Sequence, residues 1–213
     1  MHPTKRSRNV PLRYAETAHQ RRHGPQGYLD YRHYKPWLRD EFQFRCVYCL
    51  CRERWFPDGD DSFSIDHLRP QSAAPESGGE YGNLVYACWR CNSAKQDTPP
   101  PLDPDRDTFA NHVELCKDGT VRGLTPQGEA LIRACRLNRP KLAEFRRGLF
   151  ALHDLLKNHR DAAAIELLRK YFGYPDNLPR LASLRPPGGN LRPEGIHQSY
   201  YELRQRGELP GFY

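Results

Sequence analysis

Apolar positions are sparse and unevenly placed along the 213 residues. Residues 1–27 carry little hydrophobic periodicity and read as an arm without regular structure. A short helix is expected at residues 37–44. Residues 62–66, SFSID, alternate polar and apolar side chains as a half-buried strand does. Residues 70–82, PQSAAPESGGEYG, have the composition of a loop. Leu84-Val-Tyr-Ala then reads as a second strand, and residues 92–95 as the opening of a short helix.

Residues 97–107, DTPPPLDPDRD, read as a linker, and the pattern beyond them turns helical. Thr125-Pro126 fits a helix start, with Thr capping and Pro in the first turn. Leu142, Phe145, Leu149, Leu152 and Leu156 recur at spacings of 3, 4, 3 and 4. Such a stripe reads as a core face, and its a/d-like spacing also keeps a homodimer open. Residues 161–172 predict another helix, stopped at Gly173. The last 35 or so residues are rich in Pro, Gly and Arg and predict no element.

Composition narrows the picture. Hydrophobic residues make up 38%, mean hydropathy is −0.86, and there are 19 Pro and 16 Gly. A small core with much irregular surface follows. No apolar stretch follows the opening MHPTKRSRNV, so the reading expects no signal peptide, no membrane span and a reducing cytoplasmic setting. The net charge of +7 makes an anionic partner plausible without requiring one. Residues 1–45 hold ten Lys/Arg against four Asp/Glu, interleaved with Tyr and His. Such a stretch could follow a phosphate backbone or simply be solvated. Arg133, Arg136, Arg139, Lys141, Arg146 and Arg147 form a second basic cluster with the same two readings.

Seven cysteines change the picture most. Cys46/Cys49 and Cys88/Cys91 form two Cys-x-x-Cys pairs, and four thiolates so spaced suit one structural zinc ion. Cys51 could compete for a ligand position, and spacing favours Cys46/Cys49. Thirty-eight residues separate Cys49 from Cys88. They hold Asp66, His67 and Asn83, which zinc does not need, and Asn92 follows the second pair. Asp66 offers a hard oxygen ligand, and His67 can take a proton near neutral pH. Adjacent strand residues point to opposite faces, so both serve one site only if the chain turns there.

The series Cys46-Val-Tyr-Cys49, Asp66-His67-Leu-Arg-Pro70, Asn83-Leu84 and Cys88-Trp-Arg-Cys91-Asn92-Ser-Ala-Lys95 resembles the HNH endonucleases. The resemblance covers about a quarter of the chain. It implies an α+β fold: a zinc-stapled ββα-metal core at 46–97, preceded by a basic, aromatic-rich arm and short helix at 1–45. A mainly helical region with a Pro/Gly/Arg-rich tail would fill 98–213. It also implies His67 as general base, Asp66 and Asn92 as ligands of a catalytic Mg²⁺ or Mn²⁺, and Asn83 as the residue holding the His67 ring or its loop. Lys95, Arg69 and Arg90 are the expected nucleic-acid contacts, Lys95 alternatively supporting its helix, and DNA is the expected substrate. A bacterial restriction or phage-defence setting is implied, with an ATPase or another defence protein as partner. Two alternatives stay open: a subunit active only with such a partner, and a zinc-knuckle binding protein without catalysis.

Overall fold

Residues 12–211, apart from 157 and 160, are described by a computed structural model. The opening run MHPTKRSRNV lies outside them. Helix α1 (Lys35–Glu41) leads into the first Cys-x-x-Cys turn. Strand β1 (Phe63–His67), strand β2 (Leu84–Cys88) and helix α2 (Trp89–Lys95) follow. Next comes a second hairpin, β3 (Val113–Leu115) with β4 (Val121–Gly123). The chain ends in helices α3 (Pro126–Ala134), α4 (Pro140–Leu156), α5 (Ala162–Phe172) and α6 (Tyr200–Gln205).

Antiparallel β1 and β2 pair from Phe63↔Cys88 to His67↔Leu84. Every residue of β2 is buried, because α1 and α2 also pack against it. The amide of Val47 donates to Tyr86 O at 3.0 Å, which fixes the first cysteine turn against β2. The expected ββα order is therefore present. The helix opens at Trp89, earlier than expected, so the second cysteine pair spans the end of β2 and the helix's first turn.

Thr125 and Asp161 cap α3 and α5 by accepting from Gly128 N and Ala164 N. On α4 the leucine stripe turns mostly inward: Leu149 and Leu156 are buried and Phe145 packs on Trp55. That face belongs to the core. The β3–β4 hairpin was not expected in a mainly helical region. Gly119 turns it at φ +87°, and a Cβ at this position would stand only 1.9 Å from Ala143 O, so the turn lies directly on α4.

Two stretches expected to be free are bound. Residues 12–27 have no helix or regular strand, yet Leu12, Tyr14 and His23 are buried. The buried Glu41 carboxylate accepts from Arg22 N at 2.8 Å, His23 N at 3.0 Å and Tyr81 Oη at 3.1 Å, and lies 3.0 Å from His19 Nε2. Asp40 accepts from Tyr200 N at 2.8 Å and lies 2.9 Å from His23 Nε2, joining this segment to α6. Gly188–Leu191 backbone also pairs with residues 24–26. The run 97–107 is likewise anchored, through buried Leu102 and an Arg21–Asp105 ion pair at 2.8 Å.

Burial alone would raise the Glu41 pKa, but the His19 side chain and the Arg22 amide hold it down to about 2, against an ordinary 4.5. A depressed carboxyl stabilises the fold fully above its unfolded value, and that stabilisation is lost as pH falls towards the folded one. The chain is expected to lose about 3 kcal/mol from this group between those limits. Urea unfolding from about pH 6 to about pH 2 checks it. Glu41→Gln should flatten the dependence, and an unchanged slope in that variant would count against the assignment.

Candidate active site and four-cysteine centre

The first cysteine turn closes when Leu50 N donates to Cys46 O at 3.0 Å. Leu50 takes φ +63°, a left-handed conformation more readily held by glycine. Cys88 ends β2, and Cys91 sits one turn along on α2. The four sulfurs of Cys46, Cys49, Cys88 and Cys91 lie within 4.8 Å of one another, all buried. A tetrahedral zinc with bonds of about 2.3 Å places its sulfurs about 3.8 Å apart, and the Cys49 and Cys88 sulfurs are 3.6 Å apart. Burial pushes the Cys46 thiol well above its usual range while hydrogen bonds from the neighbouring thiols pull Cys49 well below it, and a bound dication would compensate the buried charge of the set. The donors fit one zinc ion with no open position. Cys51 is buried outside this set and gives its carbonyl to Cys46 N at 2.8 Å.

His67 ends β1, half-buried, with its ring 4.8 Å from Tyr31 in an edge-on contact. Its Nε2 lies 3.1 Å from Gly78 O. A carbonyl can only accept, so Nε2 carries the proton and Nδ1 keeps the basic lone pair. Asn83 shapes the loop that brings Gly78 there. Its Oδ1 accepts from Arg69 N at 2.8 Å, and its Nδ2 donates to Arg69 O at 3.0 Å and to Ser77 O at 3.2 Å.

Asp66 and His67 face opposite ways. The ladder runs unbroken through Asp66↔Val85 and His67↔Leu84, so the chain does not turn between them, contrary to the condition set by the sequence. Asp66 turns towards α2 and is almost fully buried. Its Oδ2 accepts from Tyr48 Oη at 2.6 Å, and its Oδ1 pairs with Lys95 Nζ at 3.1 Å. Burial raises the Asp66 pKa, and Lys95 and Tyr48 offset only part of that. Asn92 lies on the same side, donating from Nδ2 to Ser64 Oγ at 2.9 Å.

One carboxylate and one amide oxygen on this side suit a hard cation by donor type. The Lys95 ammonium, however, stands at the carboxylate oxygen that such a cation would need. The pair fits a cation only if Lys95 withdraws. Lys95 is also corrected as a nucleic-acid contact: its side chain is 1% exposed and donates to Thr98 O at 2.7 Å. Arg69 and Arg90 do reach solvent, Arg69 beside Glu80 and Arg90 over the ring of half-exposed Trp89.

Tyr31, Tyr48 and Gly78 were not singled out in the sequence as site residues. Tyr31 and Gly78 touch His67 and Tyr48 touches Asp66, and no spacing signal marks any of the three.

The model of the HNH endonuclease family matches residues 46–98. Those residues run from the first cysteine turn through β1, β2 and α2, and they form an HNH endonuclease domain. Over 98 residues, 44% of this chain, the sequence is 26% identical to the Septu protein PtuB of Bacillus thuringiensis. The match spans 37% of that protein's length. No solved structure matches the chain.

Proposed function

We propose that this HNH endonuclease domain hydrolyses phosphodiester bonds of DNA, with His67 activating the attacking water. The observation that carries the reading is the His67 ring itself. Gly78 O holds the proton on Nε2, leaving Nδ1 to take a proton from water. That water attacks phosphorus, the 3′ oxygen leaves, and the products carry 5′-phosphate and 3′-hydroxyl ends. Asn83 is a positioning residue acting through the 77–78 backbone. Asp66 and Asn92 would hold a divalent cation on the other face of β1, so a phosphodiester would meet it and His67 together only past the strand end that His67 forms, where the cation's chemistry is to neutralise charge on the leaving oxygen. Exposed Arg69 and Arg90 would meet phosphate.

The match to a Bacillus thuringiensis protein supports a bacterial setting. Restriction or phage defence, with an ATPase as partner, is what the family resemblance implies. The Lys95–Asp66 pair favours one refinement: the isolated chain rests with its carboxylate engaged, and a partner or substrate releases it.

The test is a supercoiled-plasmid assay on zinc-loaded protein with Mg²⁺, Mn²⁺ or Ni²⁺, against the same protein without added cation. Omitting the cation is a cleaner control than a chelator, which would also strip the cysteine centre. Conversion to nicked or linear DNA only with added cation is the expected result. Failure on DNA and RNA alike, alone and with a partner ATPase, would leave a non-catalytic binding protein.

Lys95 supplies a separate check. Removing its charge strands a buried carboxylate, which typically costs about 3–5 kcal/mol. Lys95→Met is therefore expected to melt lower than the parent and to regain stability on adding Mn²⁺, which the parent does not. Equal responses of the two proteins to Mn²⁺ would count against a cation site at Asp66.

A further inference from the structure

Arg146 is 1% exposed, on the core side of α4, and has no carboxylate partner among the described residues. Its Nη2 donates to Cys49 O at 2.9 Å, and its Nη1 to Leu137 O at 2.9 Å and Gly119 O at 3.3 Å. Its Nε is buried without a partner. Carbonyl oxygens satisfy donors but do not neutralise a cation. A buried guanidinium lacking an anion is strongly disfavoured. Buried Arg39 differs, pairing with Glu53 at 2.8 Å.

The candidate anion is the cysteine centre, because Arg146 already holds the carbonyl of its ligand residue Cys49. Four thiolates around one Zn²⁺ carry a net charge of −2. A second guanidinium approaches it from the same part of the chain. Arg139, just before α4, donates from Nη2 towards Cys91 Sγ at 3.8 Å and from Nη1 to Cys135 O at 2.9 Å. One guanidinium thus stands at a sulfur and the other at the carbonyl of a ligand residue, beside a centre that needs two positive charges. Both come from outside residues 46–98, which contribute all four sulfurs.

We propose that Arg139 and Arg146 are the counter-charges of the cysteine centre, making zinc the joint between the HNH domain and the C-terminal helices. The proposal rests on the zinc reading of the four cysteines. Each guanidinium favours the negatively charged, metal-loaded centre, Arg139 at a sulfur and Arg146 through the backbone of a ligand residue. The joint also works in reverse: the cation buried on α4 acquires its anion only when metal is bound. Docking of α4 and metal loading therefore favour each other. The second basic cluster seen in the sequence is thereby divided, with these two residues turned to the metal.

The experiment measures zinc per chain and zinc affinity by competition with a chromogenic chelator. It compares the wild-type full chain with Arg139→Met, Arg139→Lys, Arg146→Met and Arg146→Lys. Circular dichroism of each zinc-saturated protein monitors the fold. Each Met variant is expected to lose zinc affinity about tenfold or more, and each Lys variant to recover much of that loss. A carbonyl clamp without electrostatic coupling would leave zinc affinity unmoved in Arg139→Met, a half-exposed position. That result, or Met and Lys variants losing equally, overturns the proposal. If Arg146→Met does not fold with saturating zinc, the Arg139 pair decides. Wild-type protein without one zinc per chain refutes the zinc reading and the proposal together, a failure distinct from unchanged affinity in a zinc-loaded variant.

Discussion

His67→Ala is expected to slow plasmid cleavage by about 10²–10⁴-fold while leaving zinc content and melting temperature close to wild type. The magnitude is that of losing a positioned general base. The small structural cost follows from the surroundings. The ring is half-buried, makes one hydrogen bond to Gly78 O and one edge contact with Tyr31, and supplies no sulfur site. The assay follows the disappearance of supercoiled DNA under single-turnover conditions, with zinc counted per chain. A variant that cuts at the wild-type rate would remove His67 from the mechanism. A variant that loses both activity and zinc would mean the histidine supports the fold instead.

The tautomer sharpens this expectation. If Gly78 O holds the Nε2 proton, the basic nitrogen is Nδ1. Glutamine can keep a donor near Gly78 O but has no base to replace Nδ1, so His67→Gln should be as inactive as the alanine variant.

The sequence carried the site as types and spacings more completely than as contacts. Cys46, Cys49, Cys88 and Cys91 were legible because knuckle spacing is a local constraint, and the sulfurs do converge. For Asn83 the resemblance left open the His67 ring or its loop, and its bond to Ser77 O exists only in the folded loop. The Asp66–Lys95 pair was not legible, because it forms between β1 and α2 across 29 residues of sequence. Lys95 then read as a free cation near phosphate. Its burial reverses that reading.

The same division holds for the fold. The helix that opens at Thr125-Pro126 was visible because a cap is a local signal. The β3–β4 hairpin was missed because three-residue strands give no alternation to count, though Asp118-Gly119 at its turn is a recognised hairpin signal. Residues 12–27 were read as an arm because what fastens them is polar. Asp40 and Glu41 receive their backbone amides and histidines, and hydrophobic periodicity is blind to that.

Removing zinc is expected to have the largest effect: loss of the folded HNH domain. The matched unit covers only residues 46–98, and its hairpin has two five-residue strands. A unit of that size rarely sustains a core without a staple. Metal binding at a four-cysteine site contributes about 10–16 kcal/mol in zinc-finger peptides at neutral pH, comparable to the whole stability of a small domain. The sulfurs come from the turn after α1, the end of β2 and the first turn of α2, so the ion joins these three at once and β1 follows through its ladder to β2. Chelation, or Cys88→Ser, should therefore abolish cooperative unfolding of the domain and release one zinc per chain, read by circular dichroism and a colorimetric indicator. Cys51→Ser should keep its zinc, since Cys51 lies outside the cluster. Zinc loss in Cys51→Ser equal to that in Cys88→Ser would place Cys51 among the ligands and shift the register of the first turn. A Cys88→Ser protein that melts like wild type would mean that apolar burial of Tyr48, Leu84 and Tyr86 holds the domain without metal.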